Sequence, residues 1–233
     1  MNTKEGWKEP KVAVIFKEED KIQISKDRNL ILDREYIGTI EGVDQFEKLV
    51  WLKLLQFGGI GAEEKVVISD GARWVDSRIV PLLPDCIQIL DWAHAVEHLW
   101  DAGKEIYDEE KEREELERWE KELEDLLWEG KVEEVVSRLQ KQKQEVKGRK
   151  KKALEELIRY YQYNKDKMRY DLYREKGLMI GSGVVESGIK NVVNRRMKGC
   201  GMRWSLEGAE SMLFLRCRYL SGNLLDEEVR MVA

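Results

Sequence analysis

The amino-acid sequence predicts an α/β protein, and three features of the chain indicate this fold class. Residues 65–69 and 86–90 are short apolar runs rich in β-branched side chains, which are typical of buried parallel strands. Strand patterns also precede the first run, and helical patterns separate and follow the two runs. Because strands and helices alternate along the chain, we expect a mixed sheet flanked by helices.

The N-terminal part of the chain predicts the first strands and the first helix. Residues 11–16 and 22–25 favour an antiparallel hairpin, and residues 35–41 favour a third strand. Residues 43–57 then carry apolar side chains at helical spacing, so we expect a helix that ends at Gly58.

An aspartate follows each of the two apolar runs. Asp70 comes directly after residues 65–69, and Asp91 comes directly after residues 86–90. The carboxyl ends of parallel strands meet at one edge of a sheet, where side chains are well placed for chemistry. We therefore expect two carboxylates at this edge, with a helix at residues 92–101 after the second one.

Residues 101–176 differ from the sheet part because charged side chains dominate them. Apolar side chains recur at helical spacing on both sides of a break at Gly130, and residues 151–170 predict a further helix. This pattern predicts an all-helical insertion. Within it, residues 141–152 are basic and are either a solvated charge run or a contact for phosphates.

A glycine-rich segment and a helix with a basic face follow the insertion. Residues 177–183 contain three glycines, and apolar side chains then recur at helical spacing. The other face of this helix carries the cations Lys190, Arg195, Arg196 and Lys198. Glu186, a lone acid in the first turn, either offsets the helix dipole or is a metal ligand beside a phosphate backbone.

The C-terminal part has two further features. Arg203 and Trp204 follow a glycine-rich turn, and the indole of Trp204 either packs on the core or stacks, beside the guanidinium, on an unpaired base. Residues 206–220 predict a last helix that closes the core, and residues 223–233 predict a tail.

Composition and charge exclude several classes of protein. No apolar run approaches the roughly 18 residues that a membrane span requires, the N-terminus lacks a signal-peptide pattern, and three widely spaced cysteines argue against a disulfide framework. We expect a cytoplasmic protein that does not contact a membrane. The total net charge of −5 by itself argues against nucleic-acid binding. However, acids concentrate at residues 107–129 and cations at residues 190–218, so the protein can still have a basic groove.

Four segments together carry a resemblance to a known family. They are SDGARW at residues 69–74, ILDWAHAVEHL at residues 89–99, RYDLYREKG at residues 169–177, and GLMIGSGVVESGIKNVVNRRMKGCGMRW at residues 177–204. These segments resemble the catalytic domain of DDE-type bacterial insertion-sequence transposases of the Kra group. The resemblance extends from about residue 7 to about residue 222.

The resemblance implies a ribonuclease H-like fold and a division of the chain into segments. Residues 1–100 would form the sheet portion, residues 101–176 the helical insertion, residues 177–222 the helices that complete the catalytic domain, and residues 223–233 the tail. Such proteins cleave DNA at the ends of an insertion sequence and transfer the strand to a target. The expected partners are therefore double-stranded DNA and a second copy of the chain, in the nucleoid of a bacterial cell.

The resemblance also implies roles for individual residues. Asp70 would be the second and Glu186 the third of three carboxylates that bind Mg²⁺ (or Mn²⁺). Asp91 and His94 would support the site without binding the metal ions. The residues expected to contact DNA are Lys190, Arg195, Arg196, Lys198, Arg203 and Trp204.

One part of the family pattern is missing from this sequence. Family members carry the first catalytic aspartate on a strand before the segment that matches residues 7–16, whereas this chain begins at Met1. Asp20, Asp33 and Asp44 fall at hairpin or loop positions and are poor substitutes. We therefore expect an N-terminally truncated catalytic domain that lacks its first strand and has little or no activity alone.

Two alternatives from other classes remain open. Residues 94–98 read HAVEH, which matches the H-x-x-E-H pattern of inverted zinc metallopeptidases, with His94 and His98 as zinc ligands and Glu97 as the base. The other alternative is a non-catalytic DNA-binding remnant that keeps the basic helices. Stoichiometric zinc binding would favour the first, and metal-independent DNA binding that weakens steeply with salt would favour the second.

Overall fold

The computed structural model describes residues 1–25, 28–181, 183 and 188–222, and it is a mixed α/β structure in which helices predominate. The predicted α/β class is confirmed, but the described strands form four two-stranded sheets and not the one mixed sheet that was expected. The strands are β1 (Asn2–Thr3), β2 (Gly6–Trp7), β3 (Lys11–Ile15), β4 (Lys21–Ser25), β5 (Arg28–Ile31), β6 (Glu35–Thr39), β7 (Val66–Ser69) and β8 (Ile87–Leu90). The helices are α1 (Val43–Phe57), α2 (Arg73–Arg78), α3 (Trp92–Ile106), α4 (Arg113–Trp128), α5 (Val132–Glu145), α6 (Gly148–Asn164), α7 (Tyr170–Glu175), α8 (Arg195–Met197) and α9 (Leu206–Leu220).

The contacts divide the chain into two compact units. The terminal unit comprises Met1–Glu63, Ser77–Pro84 and the described residues from Gly183 onward, and the central unit comprises Glu64–Asp76 and the described residues of Asp85–Ser182. The predicted division of the sequence after residues 100, 176 and 222 stays a prediction, and residues 223–233 lie outside the described residues. Of the helices that the structure describes, none combines the length and the apolarity needed to cross a membrane.

The pairing of the N-terminal strands differs from the predicted hairpin. β3 pairs antiparallel with β6, with Lys11 opposite Thr39 and Ile15 opposite Glu35, while β4 pairs antiparallel with β5. The hairpin predicted from residues 11–16 and 22–25 is therefore wrong, whereas the strand predicted at residues 35–41 is confirmed as β6. The reason is β5, a short strand whose mixed polar pattern gave no strand signal. It pairs with β4, which leaves β3 to pair with β6.

The core of the terminal unit lies between β6, α9 and the helical residues 188–197. Its buried members are Met1, Tyr36, Ile40, Val192, Val193, Met197, Ala209, Leu213 and Cys217. Gly38 lets α9 approach β6 closely, because a Cβ there would lie 3.2 Å from Cδ1 of Leu213 and 3.3 Å from Sγ of Cys217. The predicted last helix, residues 206–220, is confirmed with those bounds, and its Ser205 caps it by accepting the N–H of Gly208 at 3.1 Å.

The helix at Val43–Phe57 is also confirmed with the predicted bounds. It buries Phe46, Val50 and Leu54 on one face. It ends at Gly58, which has φ +77° and donates its N–H to the carbonyls of the last turn. A glycine favours this left-handed conformation because it has no Cβ, so the predicted stop has its expected physical cause.

In the central unit, β7 and β8 form the predicted parallel pair. Val66 lies opposite Ile87, and Ser69 lies opposite Leu90, so the two strands end at the same level. The N–H of Asp91 donates to the last carbonyl of β7 at 2.8 Å. Both strands therefore deliver the residue that follows them to one edge of this sheet.

Two tyrosines cover the outer edge of β8. Since the N–H of Asp91 faces β7, the carbonyls of Gln88 and Leu90 lie on the opposite edge of the strand. The hydroxyl of Tyr170 donates to the carbonyl of Leu90 at 3.0 Å, and that of Tyr173 donates to the carbonyl of Gln88 at 3.1 Å. These hydrogen bonds satisfy carbonyls that would otherwise remain unpaired in a largely buried place.

The helical insertion matches the sequence pattern closely. α4 and α5 form a hairpin around Gly130, which has φ +71°, and the predicted break at this glycine is confirmed. The buried residues of the stripe are Leu116, Leu123, Leu127, Val132, Val135, Val136 and Leu139. The helix predicted at residues 151–170 is present, but both of its predicted ends are wrong, since α6 begins at Gly148 and ends at Asn164. The buried side-chain amide of Asn164 donates to the carbonyl of Tyr160.

Candidate functional site

Asp70 stands at the carboxyl end of β7 on a tight Asp-Gly turn. Its carboxylate is exposed, and Oδ1 accepts the N–H of Ala72 at 2.9 Å. Gly71 has φ +80°, and a Cβ there would lie 2.8 Å from Cδ1 of Leu90 and 2.9 Å from Nδ2 of Asn164. A glycine is therefore needed both for the backbone conformation and for the space, and it fixes the direction in which the chain leaves the sheet.

Tyr160 of α6 anchors the backbone of this turn. Its hydroxyl donates to the carbonyl of Asp70 at 2.9 Å, and its ring lies against that of His98, with centroids 3.9 Å apart. Burial, together with the charges of Asp70 and Asp91, raises the pKa of Tyr160 well above its usual value. The phenol therefore stays protonated at neutral pH and remains a hydrogen-bond donor to the turn.

Asp91, the residue after β8, is fully buried and begins α3. Its Oδ1 accepts the N–H groups of Ala93 at 2.7 Å and His94 at 3.2 Å, which is the geometry of a helix N-cap. The same Oδ1 lies 3.7 Å from Nδ1 of His94, within the range of an ion pair. Asp91 is thus occupied by the start of α3 and by His94, whereas Asp70 presents its carboxylate to solvent.

The two histidines of the chain lie one helical turn apart on α3 and have opposite electrostatic environments. The Asp91 carboxylate raises the pKa of His94 more than burial lowers it, and Asp70 and Glu97 contribute in the same direction. For His98, burial is the largest effect and lowers the pKa of the imidazole. At this edge of the sheet, His94 therefore holds a proton more readily than His98 does.

These contacts bear on the zinc hypothesis for residues 94–98. His94 pairs with Asp91, and His98 packs on Tyr160. Among the described residues, which do not include Glu186, no group of three or more His, Cys, Asp or Glu side chains is arranged to hold a metal ion. The zinc hypothesis stays a prediction, and no contact among the described residues supports it.

The chemistry of Asp70 fits a ligand for a hard divalent cation. Carboxylate oxygens are the ligands that Mg²⁺ prefers, and one or two protein carboxylates with waters are its usual set. Asp70 is exposed at a strand end, and the hydrogen bond from the Ala72 N–H to Oδ1 holds its carboxylate on the turn. Glu186, the other predicted metal ligand, lies outside the described residues.

The predicted basic face is present in the terminal unit. Its helix consists of residues 188–197 (the basic helix), in which the π-helical stretch Lys190–Asn194 leads into α8. Val192, Val193 and Met197 are buried. The exposed cations are Lys190, Arg195 and Arg196, with Lys198 exposed just after the helix. The prediction of one buried and one basic face is therefore confirmed for these residues.

Trp204 is integrated into the fold of the terminal unit. Its Nε1 donates to the carbonyl of Met197 at 3.1 Å, and its backbone bonds to Asn2 and Lys4 near the N-terminus. The guanidinium of Arg203 lies 3.5 Å from the carbonyls of Thr3 and Lys4, at the outer limit of a hydrogen bond. Of the two roles predicted for Trp204, packing is the one that these contacts support.

Comparisons of this chain with protein-family models, with curated proteins and with solved structures found no match.

The basic residues 141–152 of the insertion are partly neutralised by neighbouring acids. Arg149 pairs with Glu105, Lys152 lies 3.7 Å from Glu156, and Lys143 lies 4.0 Å from Glu155. These pairs lie at the surface, with Lys143 and Glu105 half-buried and their partners exposed, as expected of a solvated charge run. These ion pairs support the interpretation of residues 141–152 as a solvated charge run over their interpretation as a contact for phosphates.

Two residues near Asp70 were not predicted from the sequence. Tyr160 and Asn164 lie on α6 and reach the Asp-Gly turn from a segment about 90 positions away. A signal was present, because tyrosines are concentrated in residues 160–173 of an otherwise highly charged insertion. Buried tyrosines usually find a hydrogen-bond partner for the hydroxyl, so such a run indicates a contact with the sheet.

Proposed function

We propose that this chain is a catalytic-domain portion of a DDE-type DNA transposase with a ribonuclease H-like fold. The observation that carries the proposal is the delivery of Asp70 and Asp91 to one sheet edge by two parallel strands in register, with Asp70 exposed and Asp91 buried. This difference fits the roles that the resemblance assigns to them. The exposed basic helix and the all-helical insertion also agree with it.

By the resemblance, Asp70 and Glu186 are the carboxylates that would hold Mg²⁺ or Mn²⁺. When bound, such ions activate the attacking oxygen and stabilise the leaving oxygen of a phosphodiester. The protein's own contribution is to hold the Asp70 turn rigidly. Gly71 gives the turn its conformation, and Tyr160 donates a hydrogen bond to its backbone.

Asp91 and His94 would support this site without binding the ions. Asp91 begins α3 and keeps the imidazole of His94 at its side. Because the Asp91 carboxylate raises the pKa of His94, this imidazole binds a proton more readily than an ordinary histidine, and in its protonated form it would attract a DNA phosphate. Asp91 therefore positions His94 and makes its imidazole easier to protonate.

Double-stranded DNA is the partner that the basic helix favours. Lys190, Arg195, Arg196 and Lys198 are exposed cations on one short segment, which suits contacts to successive phosphates. Arg203, next to an open turn, would add to this surface. Because an insertion sequence has two ends, we propose that two copies of the chain act together on DNA.

The test combines metal binding with DNA binding. Mn²⁺ binding is followed by electron paramagnetic resonance in the presence of a DNA duplex, for the original chain, for Asp70→Asn and for Asp85→Asn. Asp85 is an exposed acid at the opposite end of β8 and is the matched control. We expect Asp70→Asn to lose Mn²⁺ binding and Asp85→Asn to retain it. Equal Mn²⁺ binding by both variants would contradict the proposed role of Asp70.

The same samples separate the alternatives. Duplex affinity, measured by fluorescence anisotropy, should fall steeply as salt rises. Such binding without any Mn²⁺ site would favour the non-catalytic DNA-binding remnant. Stoichiometric Zn²⁺ that is lost in His98→Ala would favour the metallopeptidase. A chain that binds neither metal nor DNA would exclude the transposase proposal.

A further inference from the structure

The terminal unit contains an open cleft with a volume of about 630 Å³. Its walls are the N-terminal turn and the turn that follows the basic helix. The cleft is lined by Asn2, Thr3, Gly6, Trp7, Lys198, Gly199, Cys200, Gly201, Met202 and Arg203. Its volume lies within the range of about 300–1,000 Å³ that is usual for small-molecule sites.

Trp7 is the aromatic side chain of this cleft. It lies on β2 and is 67% exposed, which is a large fraction for an indole. The neighbouring Trp204 is much less accessible and uses its Nε1–H on the carbonyl of Met197. Of the two indoles near this turn, Trp7 is therefore the one whose ring face is accessible to a ligand.

The charged lining of the cleft is positive. Lys198 and Arg203 are exposed and belong to it, and the described lining includes no carboxylate. Arg203 is held near the N-terminal backbone by two long contacts of 3.5 Å, which a stronger acceptor such as a phosphate can replace. The cleft thus offers two cations beside one aromatic ring.

The glycine turn keeps one wall of the cleft open. Gly201 has φ +76°, and a Cβ at this position would meet no atom within 4 Å. Gly6, on the opposite wall, has φ +111° and is equally unobstructed. A ligand can therefore approach the backbone closely at both glycines.

We propose that this cleft binds an unpaired nucleotide at the end of a DNA strand. The indole of Trp7 stacks on the base, and Lys198 and Arg203 bind the adjoining phosphate. Every base has a ring face, so stacking of this kind is tolerant of sequence. The inference rests on the proposed function, because it takes DNA as the partner and specifies which part of the DNA binds to this cleft.

The experiment compares two DNA duplexes of the same length. One is fully paired, and the other ends in an unpaired strand that carries 2-aminopurine, whose fluorescence is quenched by stacking. We expect the original chain to quench the unpaired 2-aminopurine. Trp7→Ala should abolish the quenching and weaken binding of the unpaired end by about 5- to 100-fold, given the usual contribution of a stacked base. Trp7→Phe should retain part of both signals.

Trp51→Ala is the matched control, because Trp51 is an indole on α1 of the same unit and is 39% exposed. It should change neither signal. The fully paired duplex reports on folding, and Trp7→Ala should bind it within about twofold of the original chain because the phosphate contacts of the basic helix remain. Equal losses on both duplexes, or no loss on the unpaired end, would overturn the inference.

The outcomes also distinguish this inference from the proposed function. If the original chain binds the paired duplex in a salt-dependent way but does not quench 2-aminopurine, the cleft inference fails and the proposed function stands. If it binds neither duplex, the proposed function fails as well.

Discussion

Oδ1 of Asp91 lies 3.7 Å from Nδ1 of His94 while accepting the backbone N–H groups of Ala93 and His94. One buried carboxylate oxygen thus begins α3 and polarises the first histidine on it. The second histidine, His98, lies one turn further on and packs against Tyr160.

The two histidines should titrate on opposite sides of the ordinary value of about 6.5. The Asp91 carboxylate raises the pKa of His94, and burial lowers the pKa of His98. Nuclear magnetic resonance of the imidazole signals can measure both, because the chain contains two histidines and His98→Gln assigns them. A single shared midpoint, or the reverse order, would show that this description of the site is wrong.

Asp91→Asn should destabilise the protein more at pH 5.5 than at pH 8.5. The pKa of His94 is raised in the folded state, so its stabilising interaction is fully present below the unfolded value of about 6.5 and is lost as pH rises through the folded value. Asparagine is as good an N-cap as aspartate, so the variant isolates the ion pair. Asp91→Ala also removes the cap and should cost about 0.5–2 kcal/mol more at both pH values. Urea denaturation at the two pH values measures this, and a pH-independent loss in Asp91→Asn would contradict it.

Gly71→Ala should lower the free energy of unfolding by about 2–4 kcal/mol. The residue has φ +80°, and the added Cβ would lie 2.8 Å from Leu90 and 2.9 Å from Asn164. Gly61→Ala is the control, because a Cβ there meets nothing within 4 Å, and it should change stability by less than about 0.5 kcal/mol. Chemical denaturation distinguishes the two, and equal effects would argue against the close packing of this turn.

Tyr170→Phe should cost about 1–3 kcal/mol, because it leaves the buried carbonyl of Leu90 without its hydrogen bond. Tyr163→Phe provides the comparison. Its hydroxyl bonds to Asp76 at 2.6 Å, but the side chain is 42% exposed and water can replace the donor. We expect a cost below about 1 kcal/mol for this variant. Thermal unfolding of both variants tests the difference, and a larger loss in Tyr163→Phe would refute it.

Arg196→Ala should weaken binding to duplex DNA and reduce its dependence on salt. If Arg196 contacts one phosphate, the slope of the logarithm of the DNA association constant against the logarithm of the salt concentration should become shallower by about 0.9. Lys152→Ala is the control, since Lys152 belongs to the insertion and lies 3.7 Å from Glu156. Anisotropy titrations at several salt concentrations measure both slopes. A change of slope in Lys152→Ala alone would relocate the DNA surface to the insertion.

The sequence was most informative where one local signal determined one element. The helix at Val43–Phe57 ends at Gly58, and the α4–α5 hairpin turns at Gly130, because glycine is favoured where φ is positive. The aspartates after β7 and β8 were placed correctly because parallel strands in register must end together. At the two glycines, the sequence pattern and its physical cause lie within a few residues of each other.

Sequence reasoning failed where the partner was distant or a signal was weak. β3 pairs with β6 because an unrecognised strand, Arg28–Ile31, takes β4. The roles of Tyr160 and Asn164 beside Asp70 depend on how α6 returns to the sheet, which no local pattern encodes. Glu186 lies outside the described residues, so its role is inferred from the sequence.

The tyrosine hydroxyls of α7 that bond to β8 determine at which edge the central sheet can accept another strand. Tyr170 and Tyr173 occupy the carbonyls on its outer edge, so an additional strand cannot pair there without displacing them. Within the described part of the chain, no strand pairs with the other edge of β7. Any strand that extends this sheet, from this chain or from another, must therefore add beside Val66–Ser69, directly next to the strand that ends at Asp70.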